Sequence, residues 1–382
     1  MITIKGKHNT AQVMIDTIDD TTHAQIQEFM NHPTARGIHI VIMPDAHAGA
    51  GCVVGYTATP GEYIAPNLIG VDLACGVDAY EIGKVDLDRP DVDRFIREHI
   101  PHGFNVRQHA HAMAHGPIVD DAVHVATVLE MDVDRVINSL GTLGGGNHFI
   151  ELDVDPETGY LWLVLHSGSR KFGHTIATYW QKQARALLDK FFIPKDQHRG
   201  LEFMPIENAQ GYLQHMEVAQ GYAALNREIM AHEIVEKYFG ASLLNANAFS
   251  SVHNYIDLDT GIIRKGAISA MPGEGVVIPL NMKAGTIIGT GKSTEKWNYS
   301  APHGAGRVLS RKQARLKLSV PDYQAEMEAA GVWSSCINAS TVDEAPAAYK
   351  PADSILEAIA EVVDVTAHLK PVYVFKDSKS DA

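Results

Sequence analysis

Apolar residues in this chain gather in short runs that end on polar, glycine-bearing turns. Residues 38–42, IHIVI, read as a buried strand running into the turn MPDAHAGAG. Residues 160–170, YLWLVLHSGSR, repeat the design, with an apolar strand that stops at a histidine and a glycine-containing turn. IIRKGAISA (262–270), TIIGTG (286–291) and PVYVFK (371–376) are further strand candidates. Apolar residues at three- and four-residue steps predict helices within 175–192, 214–239, 310–318 and 353–368. The Pro/Gly-bearing stretch 193–212 reads as a long loop or an insertion. Strands and helices are interspersed without a regular βαβ rhythm, and no repeat, low-complexity tract or linker divides the chain. The expectation is one α+β unit over residues 1–382, built on mixed sheets with peripheral helices.

Composition narrows the class. The 382 residues are 45% hydrophobic and 20% charged, ample for a core. No apolar run approaches the ~18 residues of a membrane span. The start, MITIKGKHNTAQVM, lacks the apolar segment of a secretory signal. Cys52, Cys75 and Cys336 are too few and too scattered for a disulfide framework, which points to the cytoplasm. Cys52 reads as packing in an apolar, strand-like run. A net charge of -14 opposes broad nucleic-acid binding, so any such contact must be confined to a local basic groove. The chain also carries 20 histidines. His109, His111 and His115, in RQHAHAMAHG, read as a solvated loop.

The polar residues at the strand mouths carry the candidate chemistry. Asp45 and His47 follow the first strand, and Asp72 and Cys75 stand three apart in GVDLACGV. Asn147, His148 and Glu151 follow a glycine run in GTLGGGNHFIEL. His166 ends LWLVLH, His253 and Asn254 sit in SVHNY, and His303 lies in SAPHGAGR. Thiolate and imidazole suit zinc, manganese, iron or cobalt, and a carboxylate favours the harder ions. One thiolate can bridge two ions. Singly, each of these residues reads as a structural group, and D-x-x-C is a weak motif, so the metal reading rests on the set. LGGGNH and HGAGR can each bring bare backbone N–H groups to a phosphate, with Arg170 or Arg307 adding a fork. Neither has Walker A or Rossmann spacing. The residues alone describe a metal-dependent enzyme acting on a phosphorylated substrate.

The ordered series MPDAHAGAGCVVG, GVDLACGV, GTLGGGNHFIEL, LHSGSRKFGH, HNY, RKGAISA, SAPHGAGRVLSR and DEAPAAYK resembles the RtcB RNA ligase family over nearly the whole chain. The resemblance implies sheets around a metal-containing cleft. It also implies ligation of an RNA 3′-phosphate or 2′,3′-cyclic phosphate end to a 5′-hydroxyl end, with GTP and manganese. Asp72, Cys75 and His148 would hold one Mn²⁺, and Cys75, His166 and His253 the other, with zinc possible in purified protein. His303 matches the histidine that becomes guanylylated. Asn147, His148, Glu151, His253, Asn254, Pro279, Met282, Gly304, Ala305, Gly306 and Lys376 match guanylate-contacting positions. Arg170 and Arg307 are candidate RNA-phosphate ligands.

The chain departs from the family where a P-G-S-M-G-like stretch is replaced by IPLNMKAGT (278–286), with Leu280 for a glycine and new Asn281 and Lys283. That change bears on the nucleotide pocket. Two other readings therefore stand beside the ligase: a cyclic-phosphate phosphoesterase that has lost ligation, and a non-catalytic RNA-binding homologue.

Overall fold

The structure is a computed structural model that describes residues 1–191, 193 and 200–378. Two large sheets carry it. The six-stranded sheet runs, in spatial order, Ile2–Lys5, Thr10–Val13, Ile40–His47, Val54–Ala58, Ile263–Lys265 and Asn254–Ile256. Only its Thr10–Val13 and Ile40–His47 pair is parallel. The seven-stranded sheet runs Ala248–Val252, Gly76–Gly83, Leu161–Ser167, Phe149–Val154, Val363–Phe375, Gly285–Gly291 and Gly275–Asn281, antiparallel throughout. This is the mixed α/β architecture expected. Leu161–Ser167 is apolar without alternation because both its faces are covered. Leu161, Leu163 and Leu165 join a core with Val92, Ile96 and Ile234, whereas Trp162 and Val164 pack with Val277 and Ile288.

Helix Arg170–Lys190 follows that strand and buries Phe172, Ile176, Ala177, Ala184 and Leu188, one stripe at helical spacing. It packs on helix Gln210–Ala231, with Phe172 and Tyr222 ring centroids 4.9 Å apart. The second helix widens into a π turn over His232–Tyr238, so the helix expected over 214–239 forms with its last part unwound. Helices Asp20–Met30, Arg89–His99 and Pro117–Val128 lie outside the segments expected to be helical. Two of them carry readable aspartate caps, Asp19 on the Thr22 N–H and Asp88 on the Asp91 N–H. Among the described residues no helix is long and apolar enough to cross a membrane.

Four expectations need correction. The first strand does not turn at Met43 but continues to His47 through a register shift, which sinks Asp45 fully into the interior. Cys52 sits in the bend before Val54–Ala58, not in a strand, though it is buried packing as expected. The helix expected over 353–368 stops at Ile359, and Val363–Phe375 is a thirteen-residue strand. The β-branched residues Val362, Val363, Val365 and Thr366 favour the pleated strand, and Pro371 closes the helical alternative. The stretch 193–212 falls partly outside the described residues. From residue 200 it contains the short strand Met204–Pro205 and the start of the long helix, so it is not all loop.

Residues 262–270 also form two strands, Ile263–Lys265 and Ala267–Ser269, in different sheets. Gly266 separates them with φ +61°, the left-handed region, and its N–H donates to the His253 carbonyl at 2.6 Å. A Cβ there would overlap Val54 and come within 3.3 Å of His303 Cε1. Gly266→Ala should therefore cost about 2–5 kcal/mol, from the backbone conformation and the overlap together. A urea midpoint equal to that of the wild type would show that the turn can relax.

Candidate functional site

The two sheets meet at one residue. His253 lies between strand Ala248–Val252 of one and strand Asn254–Ile256 of the other. Its N–H donates to the Cys75 carbonyl at 2.9 Å, and Ala74 N–H donates to the Asn254 carbonyl at 2.8 Å. Loop 72–75 is thus stitched to the crossover as though the ladder continued. Ala74 holds φ +57°, a strained setting for a residue with a Cβ, and it turns Cys75 inward. His166 stands opposite Val77 on one side and Phe149 on the other, one position from the end of its strand.

The donors converge. Cys75 Sγ lies 3.4 Å from His148 Nε2 and 3.2 Å from His166 Nε2. His166 Nε2 lies 3.4 Å from His253 Nε2, and His148 Nε2 lies 3.1 Å from Asp72 Oδ2. The ligand atoms of Cys75, His148 and His166 all fall within 4.8 Å of one another, and all three side chains are buried. His148 Nδ1 donates to the Leu143 carbonyl at 2.8 Å, which orients the ring so that Nε2 faces Cys75 and Asp72. Arg170 also approaches that Nδ1, at 3.2 Å, but cannot donate to a nitrogen already carrying a proton.

Charge states suit a cation. Burial by itself would raise the Asp72 carboxyl, but the hydrogen bond and charge of His148 outweigh it and hold the group down to about 2. Asp72 is ionised at neutral pH. Burial, then the Asp72 charge, pushes the Cys75 thiol well up. Burial pushes His166 and His253 well down, so both are neutral ligands. A carboxylate, a thiol and neutral imidazole nitrogens packed this closely, with little hydrogen bonding among them, fit a divalent cation.

His303 stands beside this cluster. It follows strand Ser300–Pro302, and its ring centroid is 4.8 Å from that of His253. Asp45, fully buried, takes both the His303 N–H (3.2 Å) and the His303 Nδ1 proton (2.6 Å). Asp45 is the residue whose role the sequence did not reveal: it was visible as a polar group at a strand mouth, but its partner lies 258 residues away. The HGAGR glycines serve this contact as much as any ligand. Gly306, at φ +73°, lies so close to the Asp45 backbone that a Cβ would overlap it. Likewise Gly144, in the LGGGNH run, makes room for the Arg170 guanidinium.

His303 opens onto a cavity of 300 Å³ lined in part by Asn147, Phe149, Glu151, Pro279, Met282, Gly304, Ala305, Gly306 and Lys376. His166 and His253 close its floor. Asn254 is not in this wall. Its amide donates to the Asp72 carbonyl (3.1 Å) and accepts from Gly266 N–H (3.0 Å), so it braces the metal-side loop. Lys376 is buried and reaches Glu344 at 3.0 Å and the Asn147 and His148 carbonyls at 3.2 and 3.3 Å. Arg307 points into the same network, donating to the Asp343 carbonyl (2.5 Å), Glu344 (3.4 Å) and Tyr349 Oη (3.2 Å). It shares no cleft with Arg170, so the two candidate RNA-phosphate arginines stand at different sites. Asn281 Oδ1 caps the hairpin N–H groups of Lys283 and Ala284, and Lys283 pairs with Glu326 at 2.9 Å. Leu280 and Asn281 also line the cavity beside Pro279 and Met282, so two of the departures fall on its wall and only Lys283 is spent on an exposed ion pair. His111, expected in a solvated loop, is held at 2.7 Å by buried Glu233, whereas His109 and His115 are exposed.

A mixed α/β protein with a buried thiol–imidazole centre and a carboxylate-held histidine at its edge is the class that this geometry defines. The chain matches the family described as tRNA-splicing ligase RtcB over residues 25–377, and it belongs to that family. It is 31% identical over 379 residues to RNA-splicing ligase RtcB of Escherichia coli, covering 88% of this chain and 90% of that one. It is 27% identical to tRNA-splicing ligase RtcB of Aeropyrum pernix (88% and 87% covered) and 26% identical to that of Archaeoglobus fulgidus (92% and 90% covered).

Two predictions concern the site as a structure. Cys75→Ala should lower bound metal, measured by elemental analysis, while the circular dichroism spectrum is kept, and Cys52→Ala should leave metal content unchanged. Full metal content in Cys75→Ala would remove the thiol from the ligand set. The second concerns Glu151 and Asp153, buried side by side on one strand face, with neither Asp153 oxygen meeting a well-placed donor. Burial raises both, Asp153 to about 7. The folded chain therefore holds protons that the unfolded chain releases near pH ~4. Stability falls as pH rises from about 4 to about 7. Asp153→Asn should reduce the drop in thermal midpoint between about pH 5 and about pH 7.5. Equal drops in both proteins would show that another group carries the titration.

Proposed function

We propose that this chain is a GTP-dependent RNA ligase that joins 3′-phosphate or 2′,3′-cyclic phosphate ends to 5′-hydroxyl ends through a guanylylated His303. The observation that carries the reading is the His303–Asp45 pair at the cavity edge, beside the buried cluster. With Nδ1–H given to a buried carboxylate, His303 is fixed in the tautomer whose Nε2 has a lone pair, as a nucleophile requires. His303 Nε2 attacks the α-phosphate of GTP, a P–N bond forms and pyrophosphate leaves. His303 then passes the guanylate to the RNA 3′-phosphate, a cyclic end having first been opened. The 5′-hydroxyl attacks that activated end and GMP departs.

Asp72, Cys75 and His148 would hold one divalent cation, and Cys75, His166 and His253 a second, with the Cys75 sulfur shared. Such ions offset phosphate charge and stabilise the leaving group. Manganese is the working ion in this reading, although a Cys/His set binds zinc more tightly and protein as purified can carry it. Asn147, Glu151, Pro279, Met282, the backbone of 304–306 and Lys376 form the nucleotide wall. All three cysteines are buried and unpaired, which suits the cytoplasm.

Incubation with α-labelled GTP and Mn²⁺ tests the reading. Label should appear on the protein, be lost in acid and survive alkali, as a phosphoramidate does. His303→Ala should abolish labelling yet still join a pre-activated RNA–GMP end. Asp45→Asn should keep its metal and label roughly 10²-fold more slowly, with a shifted pH profile. Labelling of the His303 variant would place the nucleophile elsewhere. A wild type that never labels but opens cyclic phosphates would be a metallo-phosphoesterase instead.

A further inference from the structure

The metal cluster has a second face. Asp72 and His148 also line an outer cleft of 610 Å³, which shares no lining residue with the cavity that His303 enters. Arg135, Arg170 and Lys171 line this cleft, and Phe104 stands at its lip, 95% exposed. An exposed phenyl ring on a loose tip would mean little, but this loop is pinned. Gly103 N–H donates to the Gly144 carbonyl at 2.9 Å, Arg170 donates to the Gly103 carbonyl at 3.2 Å, and Arg135 donates to the Phe104 carbonyl at 3.0 Å. Two of the three cations that line the cleft thus fix the backbone that presents the ring. The other carboxylate in the lining, Asp377, is held by His102 at 2.8 Å.

We infer that Phe104 is a stacking platform for an unpaired base of the RNA strand that enters the cluster through this outer cleft, its phosphates passing Arg135, Lys171 and Arg170. The inference rests on the ligase reading and adds where the strand is held. In a chain of net charge -14, three basic side chains around one cleft form the local groove that RNA contact needs. One solvent-facing aromatic ring bordered by cations matches the chemistry of single-strand binding, in which every base offers a π face. A protein-docking patch would need contiguous apolar surface, and the cleft adds only Val71 and Val106.

The test uses the full chain without GTP and two single-stranded RNAs, one ending in a 5′-hydroxyl and one in a 3′-phosphate. Each carries 2-aminopurine at the penultimate position. Wild type should quench the fluorophore in at least one RNA, and which one identifies the strand. Phe104→Ala should relieve the quench and weaken binding by anisotropy about 5- to 150-fold, with metal content and GTP labelling unchanged. Phe104→Trp should restore both signals. If Phe104→Ala binds and quenches as wild type does, the inference falls alone and the ring is left to a protein contact. If wild type binds neither RNA, the ligase reading fails and this inference with it.

Discussion

The arrangement depends on the burial of polar ligand atoms where two sheets join. His253 is both the crossover residue between Ala248–Val252 and Asn254–Ile256 and a donor to the Cys75 carbonyl, so this passage between sheets brings an imidazole to the thiol. Each buried polar group that lacks a good partner costs roughly 1–3 kcal/mol. Among the described residues His253 Nδ1 has no partner, and its Nε2 faces another imidazole nitrogen. A core built only for stability would fill this joint with aliphatic groups. Strained Ala74 and Arg170, at φ +57° and +59°, flank the same place, so backbone cost and desolvation cost are concentrated together. A cation shared by these donors would offset both, and metal affinity here would then be coupled to the folding of the joint.

The cavity next to it solves a different electrostatic problem. Burial would raise the Glu344 carboxyl, but Lys376, Arg311 and Arg307 surround it and hold it down to about 2. Arg311 lies 2.5 Å from Glu344 and 2.7 Å from Asp343. These cations are largely matched within the protein before any ligand arrives. They shape the wall of the cavity and leave little unpaired positive charge there for an anionic ligand. Arg307 thus belongs to the wall, and Arg170 to the outer cleft, although both follow a glycine-bearing turn in the sequence.

Much of the site was legible because its residues sit at strand ends, where continuous apolar runs stop on a polar group. His166 after LWLVL and Asp72 with Cys75 before the strand at Gly76 are examples. What stayed hidden was non-local or depended on competing local signals. Nothing near Asp45 announces His303, and nothing near Asn254 shows that its amide braces Asp72. The apolar steps of helix Ala352–Ile359 continue numerically into 363–368, but pairing with Gly285–Gly291 decides for a strand there. Two of the glycines that offer bare backbone to a phosphate, Gly306 and Gly144, also have Asp45 and Arg170 lying against them, which the sequence does not show.

The buried carboxylate also separates the competing chemistries. A phosphoesterase that only opened cyclic phosphates would need a metal site and an access path, and the Asp72 side of the cluster, which lines the outer cleft, is where the proposed reading would put both. Asp45 does not line that cleft: it holds His303, and among the described residues one of its oxygens has no hydrogen-bond partner. Keeping a half-satisfied carboxylate in the core is costly unless the imidazole it orients must present a defined nitrogen. A chain that had kept only phosphoesterase activity would have no use for this pair. Its presence, with Gly306 holding the two loops in contact, is the physical ground for preferring a covalent nucleophile at His303.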